Sequence, residues 1–208
     1  MINAGAKVIL GSHLGRPKGI INADLSLKIV SERLSDLMER PVVFCNDFKD
    51  KGWTNKFDKL PKGSVVLLEN LRFFKEETDN DSEFSKLLAS FADIYVNDAF
   101  GTSHRAHAST FGMAANFQSK LAGFLVDKEL KFISKMMEKV EKPFVVIIGG
   151  SKIKDKISAM SNLLDKADKI IIAGGAAYTF IKANGGNIGN SIFESEMVDW
   201  AQKVYAKY

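Results

Sequence analysis

The chain has 208 residues, of which 46% are hydrophobic and 26% are charged, and its formal net charge is +4. These proportions are typical of a soluble globular protein and exclude a collagen-like or disordered chain. No apolar run approaches the roughly 20 residues of a membrane-spanning helix, so we expect no membrane partner. The 29 basic residues are scattered among 25 acidic ones, which favours a small anionic ligand over nucleic acid.

Short aliphatic runs alternate with helical patterns along the chain. The runs predict strands at residues 7–10, 41–45, 64–69, 93–97, 144–148 and 169–173. Helices are predicted between them at residues 27–40, 81–92, 127–140 and 155–166. The first helix has one apolar stripe of 3.6-residue period, predicted to be buried, at Leu27, Val30, Leu34, Leu37 and Met38. Because the strands are continuously aliphatic, we predict an α/β fold whose parallel sheets are covered on both faces.

A domain boundary is predicted near Pro143, which ends a long charged helix directly before a new strand. This division leaves about four strands before the boundary and two after it. Two parallel strands with a few helices are too little for an independent core. We therefore expect the second half to be incomplete, either truncated or completed by something else.

The single cysteine, Cys45, excludes an intrachain disulfide and fits a reducing cytosol. It ends a Val-Val-Phe run. We predict an inert buried thiol there.

Three arginines, Arg16, Arg72 and Arg105, each follow a predicted strand. Ligands of open α/β sheets bind at the carboxyl ends of the strands, and a guanidinium suits bidentate recognition of carboxylate or phosphate. The three histidines lie in two of the same segments, as His13, His104 and His107. We predict a pocket for a small polyanion. The alternatives are solvated surface arginines and, for His107, a structural hydrogen bond.

The second half contains a strand, a glycine turn and a helix over residues 145–156. Backbone N–H groups and the helix dipole at such a turn favour phosphate. Lys152 and Lys156 are four residues apart and are predicted to share a helix face, whereas Lys154 is expected to be exposed. The segment is not a Walker A loop, since it lacks the Gly-x-x-x-x-Gly-Lys-Ser/Thr pattern.

The next strand ends in small residues, from Ala173 to Gly175. Glycines there let a flat ring approach the backbone, with tight helix–strand packing as the alternative. Residues 185–189 follow a helix, so we interpret them as a loop. A nicotinamide-dependent oxidoreductase would fit the α/β pattern but needs Gly-x-Gly-x-x-Gly after a strand, which this sequence does not have.

These segments resemble the phosphoglycerate kinase family, in the family's order and over essentially the whole chain. The matching segments are residues 12–17 (SHLGRP), 68–73 (LENLRF), 95–101 (YVNDAFG), 104–107 (HRAH), 149–157 (GGSKIKDKI) and 177–180 (AYTF). The resemblance implies parallel-sheet Rossmann-like lobes, the first nearly complete and the second partial. It assigns residues 1–126 to a phosphoglycerate-binding lobe, 127–142 to a hinge helix and 143–208 to part of a nucleotide-binding lobe.

The resemblance also implies a reaction, namely reversible phosphoryl transfer between 1,3-bisphosphoglycerate and ADP, giving 3-phosphoglycerate and ATP in glycolysis. Mg²⁺ would accompany ATP or ADP, in a cytoplasmic and usually monomeric enzyme. Such transfer needs positioning and cationic stabilisation rather than a general base.

Individual residues match the family's functional positions. The implied substrate-binding residues are His13, Leu14, Gly15, Arg16, Arg72, His104 and Arg105. Lys152 resembles the catalytic lysine that follows the transferred phosphoryl group, and Lys156 resembles a lysine on the nucleotide phosphates. The implied nucleotide-binding glycines are Gly149, Gly150, Gly174 and Gly175. Ala173 and Ala176 depart from the family, which usually has glycine and methionine there.

Part of the family's pattern has no counterpart in this chain. The opening strand with its Asp-Phe-Asn-Val-Pro motif, a catalytic arginine, the magnesium-side aspartate and a glycine-rich phosphate loop are unmatched, so no metal ligand is assigned. We therefore expect the chain itself to be an inactive fragment of the kinase. The alternative is a non-catalytic module that binds phosphoglycerate or a similar anion.

Overall fold

The computed structural model describes residues 1–138 and 140–208. These form two compact units, Met1–Leu130 and Lys131–Tyr208. The strands are β1 (Val8–Leu10), β2 (Val42–Cys45), β3 (Val65–Leu68), β4 (Ile94–Asn97), β5 (Ser119–Ala122), β6 (Val145–Gly149) and β7 (Lys169–Ala173). The α-helices are α1 (Lys28–Met38), α2 (Lys51–Lys59), α3 (Lys75–Thr78), α4 (Ser82–Ala89), α5 (Phe124–Glu138), α6 (Ile157–Leu164), α7 (Gly175–Ala183) and α8 (Val198–Lys207).

Parallel strand pairs form the framework of the first unit. One sheet has the order β1-β3-β2, and β3 lies at its centre with all four of its residues buried. The other sheet pairs β4 with β5, again in parallel. The parallel α/β architecture confirms the prediction made from continuous aliphatic strands. The sequence did not predict β5, because its Ser-Lys-Leu-Ala run is neither aliphatic nor buried.

The core of the first unit lies against β3. Its buried members include Phe48 from the segment after β2, Phe57 from α2, and Phe84 and Leu88 from α4. Cys45 is also fully buried there, and burial raises the pKa of its thiol to about 12. A thiol with that pKa stays protonated at neutral pH, which confirms the predicted inert buried thiol.

Helix α1 packs on a different stripe from the one predicted. Leu27 and Ser31 are buried, but Val30 is 41% exposed and Leu37 is 65% exposed. The prediction was wrong for these two residues because serines take part in the buried face. The Ser31 hydroxyl donates to the carbonyl of Val42, and the Ser35 hydroxyl accepts from the Val42 N–H. These bonds fix the helix on β2 through polar contacts that an apolar pattern does not show.

The second unit is built on the parallel pair β6 and β7. Residues of α6, α7 and α8 cover one face of this pair and form a second core, with Met160, Ala176, Phe180 and Ala201 buried. On the other face Ile147 is 71% exposed. The prediction that both faces are covered is therefore wrong at Ile147, because α6, α7 and α8 pack on the opposite face.

Helix α5 begins before the hinge segment that the sequence predicts. The Asp98 carboxylate, at the end of β4, accepts hydrogen bonds from the N–H groups of Leu125 (2.7 Å) and Val126 (3.2 Å). This contact caps the helix three residues before position 127. Residue 139 of the predicted hinge lies outside the described residues, and the division into lobes and hinge stays a prediction. None of the described helices is long and apolar enough to cross a membrane.

Candidate functional site

The structure places two of the predicted arginines, Arg16 and Arg105, near the third, Arg72. Partial burial, and then the positive charges of Arg105 and Arg16, hold the pKa of Arg72 below its ordinary value. Exposed charges affect each other in this way only at short range. The Arg72 guanidinium also donates to the carbonyl of Gly15 at 2.8 Å, which joins its turn to the segment of Arg16. These contacts lie between segments that follow β1, β3 and β4, although β4 belongs to a different sheet from β1 and β3.

Asn70 holds two of these segments in place. Its side chain is fully buried and donates to the carbonyls of Leu14 (2.8 Å) and Leu25 (2.9 Å). The amide oxygen accepts from the N–H groups of Leu14 (3.3 Å) and Arg72 (3.1 Å). The backbone before Arg16 is therefore fixed to the turn that carries Arg72 by one side chain.

Glu69 fixes the segment that leads into α1. Its carboxylate accepts from the Ser26 hydroxyl at 2.7 Å and from the Leu27 N–H at 2.8 Å. The sequence matched both Glu69 and Asn70 to a family motif without giving either a role. Their hydrogen-bonding function could not be predicted, because their partners are 42 to 56 positions away in the sequence.

A second buried carboxylate, Glu77, lies at the centre of the three segments. Its side chain has no exposed surface and accepts from His13 Nε2 at 2.7 Å. It also accepts from the Ser109 hydroxyl at 2.6 Å and the Ser109 N–H at 3.0 Å. Burial alone would raise the pKa of Glu77, but the hydrogen bonds from His13 and Ser109 outweigh it and hold the pKa below its ordinary value. Glu77 is therefore a carboxylate at neutral pH.

The other two histidines differ in their surroundings. His104 is exposed, and its Nε2 accepts a hydrogen bond from Nε of Arg105 at 3.2 Å. His107 is buried, and its Nδ1 has no hydrogen-bond partner among the described residues, although it lies 3.7 Å from Glu77. Burial is the main reason that the pKa of His107 is lowered. His104 thus lies beside Arg105, one of the three arginines (Arg16, Arg72 and Arg105) that we call the arginine cleft, while His107 is buried near Glu77.

His13, Glu77 and His107 place potential metal-ligand atoms within 4.8 Å of one another. Two observations weigh against a cation there. The Glu77 oxygens already accept three hydrogen bonds, and Arg72 and Arg105 are near enough to lower the pKa of His107. A divalent cation would have to displace the proton on His13 and overcome this positive field. We therefore interpret His13 and Glu77 as a hydrogen-bonded pair, with the His107 ring packed against that of His13.

The glycine turn of the second unit differs in part from the prediction. Lys152 precedes the short 3-10 helix Lys154–Lys156, so it does not share a helix face with Lys156. Instead, the Lys156 ammonium donates to the Lys152 carbonyl at 3.1 Å and lies beside Gly150. Lys154 is exposed, as predicted. A Cβ added to Gly149, at the end of β6, would meet the Ala173 carbonyl oxygen at 4.0 Å, which is an ordinary contact distance.

A carboxylate already occupies part of this turn. Glu194 accepts a short hydrogen bond from the Ile153 N–H and a second, at 3.3 Å, from the Lys154 N–H. These two backbone donors are therefore not open to a phosphate in this conformation. This contact could not be predicted from the sequence, because the carboxylate lies 41 positions from Ile153.

Gly174 and Gly175 lie against the backbone of the same turn. A Cβ on Gly174, whose φ is +66°, would meet Gly150 backbone atoms at 3.3 Å, and one on Gly175 would meet Ser151 Cα at 3.0 Å. The N–H of Ala176 donates to the Gly150 carbonyl at 2.8 Å. These distances show the close backbone packing that the sequence analysis held open as an alternative to ring binding.

The second unit also has a cavity of about 310 Å³. Its lining is entirely apolar and comes from α5, β6 and α6: Ile133, Met136, Phe144, Val145, Val146, Ile147 and Leu163. It contains none of the predicted site residues. With no polar group to orient a ligand, this cavity is not the candidate site.

Fold and site together define an α/β protein that places Arg16 and Arg105 near Arg72 in its first unit. The phosphoglycerate kinase family model matches residues 1–208. The phosphoglycerate kinase of Clostridium botulinum strain Eklund 17B is 51% identical over 209 residues, covering all of this chain and 53% of the relative. The chain therefore belongs to the phosphoglycerate kinase family, and it spans about half the length of the curated relatives it matches.

Solved structures agree with this assignment. The phosphoglycerate kinase of Coxiella burnetii superimposes with a TM-score of 0.84 at 42% identity, covering 99% of this chain and 51% of the other. The phosphoglycerate kinase of Pyrococcus horikoshii also gives a TM-score of 0.84, at 29% identity, and covers 100% and 54% respectively.

Proposed function

We propose that this chain supplies the phosphoglycerate-binding groups, and part of the nucleotide-binding groups, of a kinase. The reaction is phosphoryl transfer between 1,3-bisphosphoglycerate and ADP, giving 3-phosphoglycerate and ATP. Family membership supports this reaction. The single observation that carries it is the proximity of Arg16 and Arg105 to Arg72 in the first unit. Neighbouring guanidinium groups repel one another, and an anion with several negative oxygens that binds among them relieves this repulsion.

In this proposal the substrate phosphate and carboxylate bind the arginine cleft. Leu14 and Gly15 provide backbone held by Asn70 and Arg72, and His13 and His104 add ring nitrogens. Lys152 follows the transferred phosphoryl group, and its positive charge stabilises the equatorial oxygens in the transition state. Lys156 and the glycine turns accept the nucleotide. The attacking group is a carboxylate or a phosphate oxygen, so no protein base is required.

Mg²⁺ enters, in this proposal, with ATP or ADP. The described side chains around the glycine turn do not offer an uncommitted carboxylate for it, since Glu194 is bound to backbone N–H groups. We therefore assign no magnesium ligand to this chain. We also propose a cytoplasmic location, as for a glycolytic enzyme.

We further propose that the 208-residue chain alone has no measurable kinase activity. Electrostatic catalysis needs groups held near their productive geometry, so half of a site gives far less than half of the rate. The second candidate is a module that binds phosphoglycerate without turning it over, which the intact arginine cleft favours.

A coupled assay of ATP-dependent 3-phosphoglycerate phosphorylation tests the kinase proposal and the inactivity proposal. The chain would be compared with a chimera that adds the flanking segments of the C. botulinum relative. We expect activity in the chimera and none in the chain. Turnover of the chain within about tenfold of the chimera, a barrier difference of about 1.4 kcal/mol, would refute the inactivity proposal. A folded but inactive chimera would refute the kinase proposal.

The same chimera tests the role of Lys152. Replacing it by alanine removes a charge that acts mainly in the transition state, so kcat should fall more than KM rises. The matched control is Lys154→Ala in the same exposed turn, for which we expect little change. A raised KM with unchanged kcat in the Lys152 variant would show that this lysine binds the ground state instead.

A further inference from the structure

Glu77 connects the three segments that carry the arginines. It lies five residues after Arg72, and it binds the side chain of His13, three residues before Arg16. It also binds Ser109, four residues after Arg105, through both the hydroxyl and the backbone N–H. A single fully buried carboxylate is thus the common partner of all three segments.

The hydrogen bonds of Glu77 determine the tautomer of His13. An ionised carboxylate only accepts hydrogen bonds, so His13 Nε2 must carry the proton in the 2.7 Å contact. Nδ1 is then the ring nitrogen that can face an incoming ligand.

One general argument and one observation count against a purely structural carboxylate. A buried hydrophobic contact would fix the same segments without the cost of burying a charge. The charge also lies beside the arginine cleft, where it acts on Arg72 in the direction opposite to Arg16 and Arg105. Glu77 therefore offsets part of the repulsion within the cleft before any ligand arrives.

We propose that Glu77 is a positioning residue for the anion site. It holds the His13 imidazole with Nε2–H directed at its own carboxylate, and it fixes the Arg105 segment through Ser109. This inference rests on the proposed function for the identity of the anion, 3-phosphoglycerate. The contacts of Glu77 with His13 and Ser109 do not depend on that identity.

Glu77→Gln is the informative variant, because it keeps the shape of the side chain and removes the charge. Glutamine has one acceptor oxygen and one N–H₂ group, whereas Glu77 faces three donors. In one orientation the glutamine N–H₂ faces the Ser109 N–H, so that two donors meet and no hydrogen bond forms. In the other orientation it faces His13 Nε2, which must then give up its proton and accept, so the ring adopts the other tautomer. Glu76→Gln is the matched control, since Glu76 is adjacent but partly exposed and pairs with Lys49.

Two measurements on the 208-residue chain form the test. The first is ¹⁵N NMR of the histidine ring nitrogens and of the Ser109 amide, and the second is the dissociation constant of 3-phosphoglycerate. For Glu77→Gln we expect a changed His13 tautomer or a less protected Ser109 amide, and affinity lower by about tenfold or more. Glu76→Gln should match the wild type in both measurements. If Glu77→Gln does not fold, Ser109→Ala takes its place in the test. This variant removes only the hydroxyl contact to Glu77, so the same effects should be smaller.

The outcomes separate the two proposals. Unchanged NMR signals in Glu77→Gln, or changed signals with affinity within about twofold of the wild type, would overturn the positioning role. If the wild type does not bind 3-phosphoglycerate, the proposed function fails, and the NMR comparison alone decides the role of Glu77. Tight binding of added Zn²⁺ that shifts His13 and His107 together would identify a metal site and also overturn the inference.

Discussion

Replacing Asn70 by alanine should show how much one buried side-chain amide contributes to the stability of the first unit. The wild-type side chain makes four hydrogen bonds to the backbone of Leu14, Leu25 and Arg72. Alanine removes all four and leaves two carbonyls and two N–H groups without partners. Because Asn70 is fully buried, water cannot simply replace the amide.

The expected magnitude follows from these four bonds. At about 1 kcal/mol net for each bond, the sum is roughly 4 kcal/mol, and the two longer bonds at 3.1 and 3.3 Å contribute less. We therefore expect a loss of about 3 kcal/mol in the free energy of unfolding of the first unit. With a urea m-value of about 2 kcal/mol/M, the unfolding midpoint would fall by about 1.5 M.

Urea denaturation followed by tryptophan fluorescence measures this loss. Trp53 packs against the core of the first unit and Trp200 against that of the second, so a Trp200→Phe background reports on the first unit alone. Asn55→Ala, at an exposed position of α2, is the matched control and should change stability by less than about 0.5 kcal/mol. A midpoint shift in Asn70→Ala no larger than that of the control would refute the reasoning.

Three further predictions follow from single positions. Cys45 should not react with a thiol reagent in the native state, and it should react at the rate of unfolding in urea; fast native labelling would contradict its burial. Gly174→Ala should destabilise the second unit more than Gly185→Ala, because both have positive φ but only Gly174 meets backbone within 4 Å; equal effects in thermal denaturation would contradict this. Glu77, with its pKa held below 4.5, stabilises the first unit above pH 4.5 and loses this contribution as the pH falls through the native pKa. As the pH falls below 4.5, the free energy of unfolding should therefore decrease less in Glu77→Gln than in the wild type. An identical pH dependence in the two proteins would contradict this.

The parallel α/β architecture was predictable because its main strands are continuous apolar runs. β3 is the clearest case, since Val65–Leu68 is both aliphatic and wholly buried. β5 and α2 were not predicted, because Ser119–Ala122 is exposed and Lys51–Lys59 is mostly polar. Their positions are determined by tertiary pairing and capping rather than by an apolar pattern.

The arginine cleft was partly predictable for a different reason. Arg16, Arg72 and Arg105 each follow a strand, and the sequence shows that directly. Glu77 was not predictable, because the sequence Lys-Glu-Glu-Thr is typical of a solvated helix start. Only the fold places this carboxylate under His13, so the buried partners of a charged cleft require a structure.

Calorimetric titration of the 208-residue chain with 3-phosphoglycerate tests the central claim most directly. The arginine cleft predicts saturable binding that weakens with added salt and falls by about tenfold or more in Arg105→Met. Arg33→Met is the control, since Arg33 is exposed on α1 and pairs only loosely with Asp36 at 3.9 Å. Binding that is absent, or equally strong in Arg105→Met and in the control, would contradict the claim that these arginines form one phosphoglycerate site.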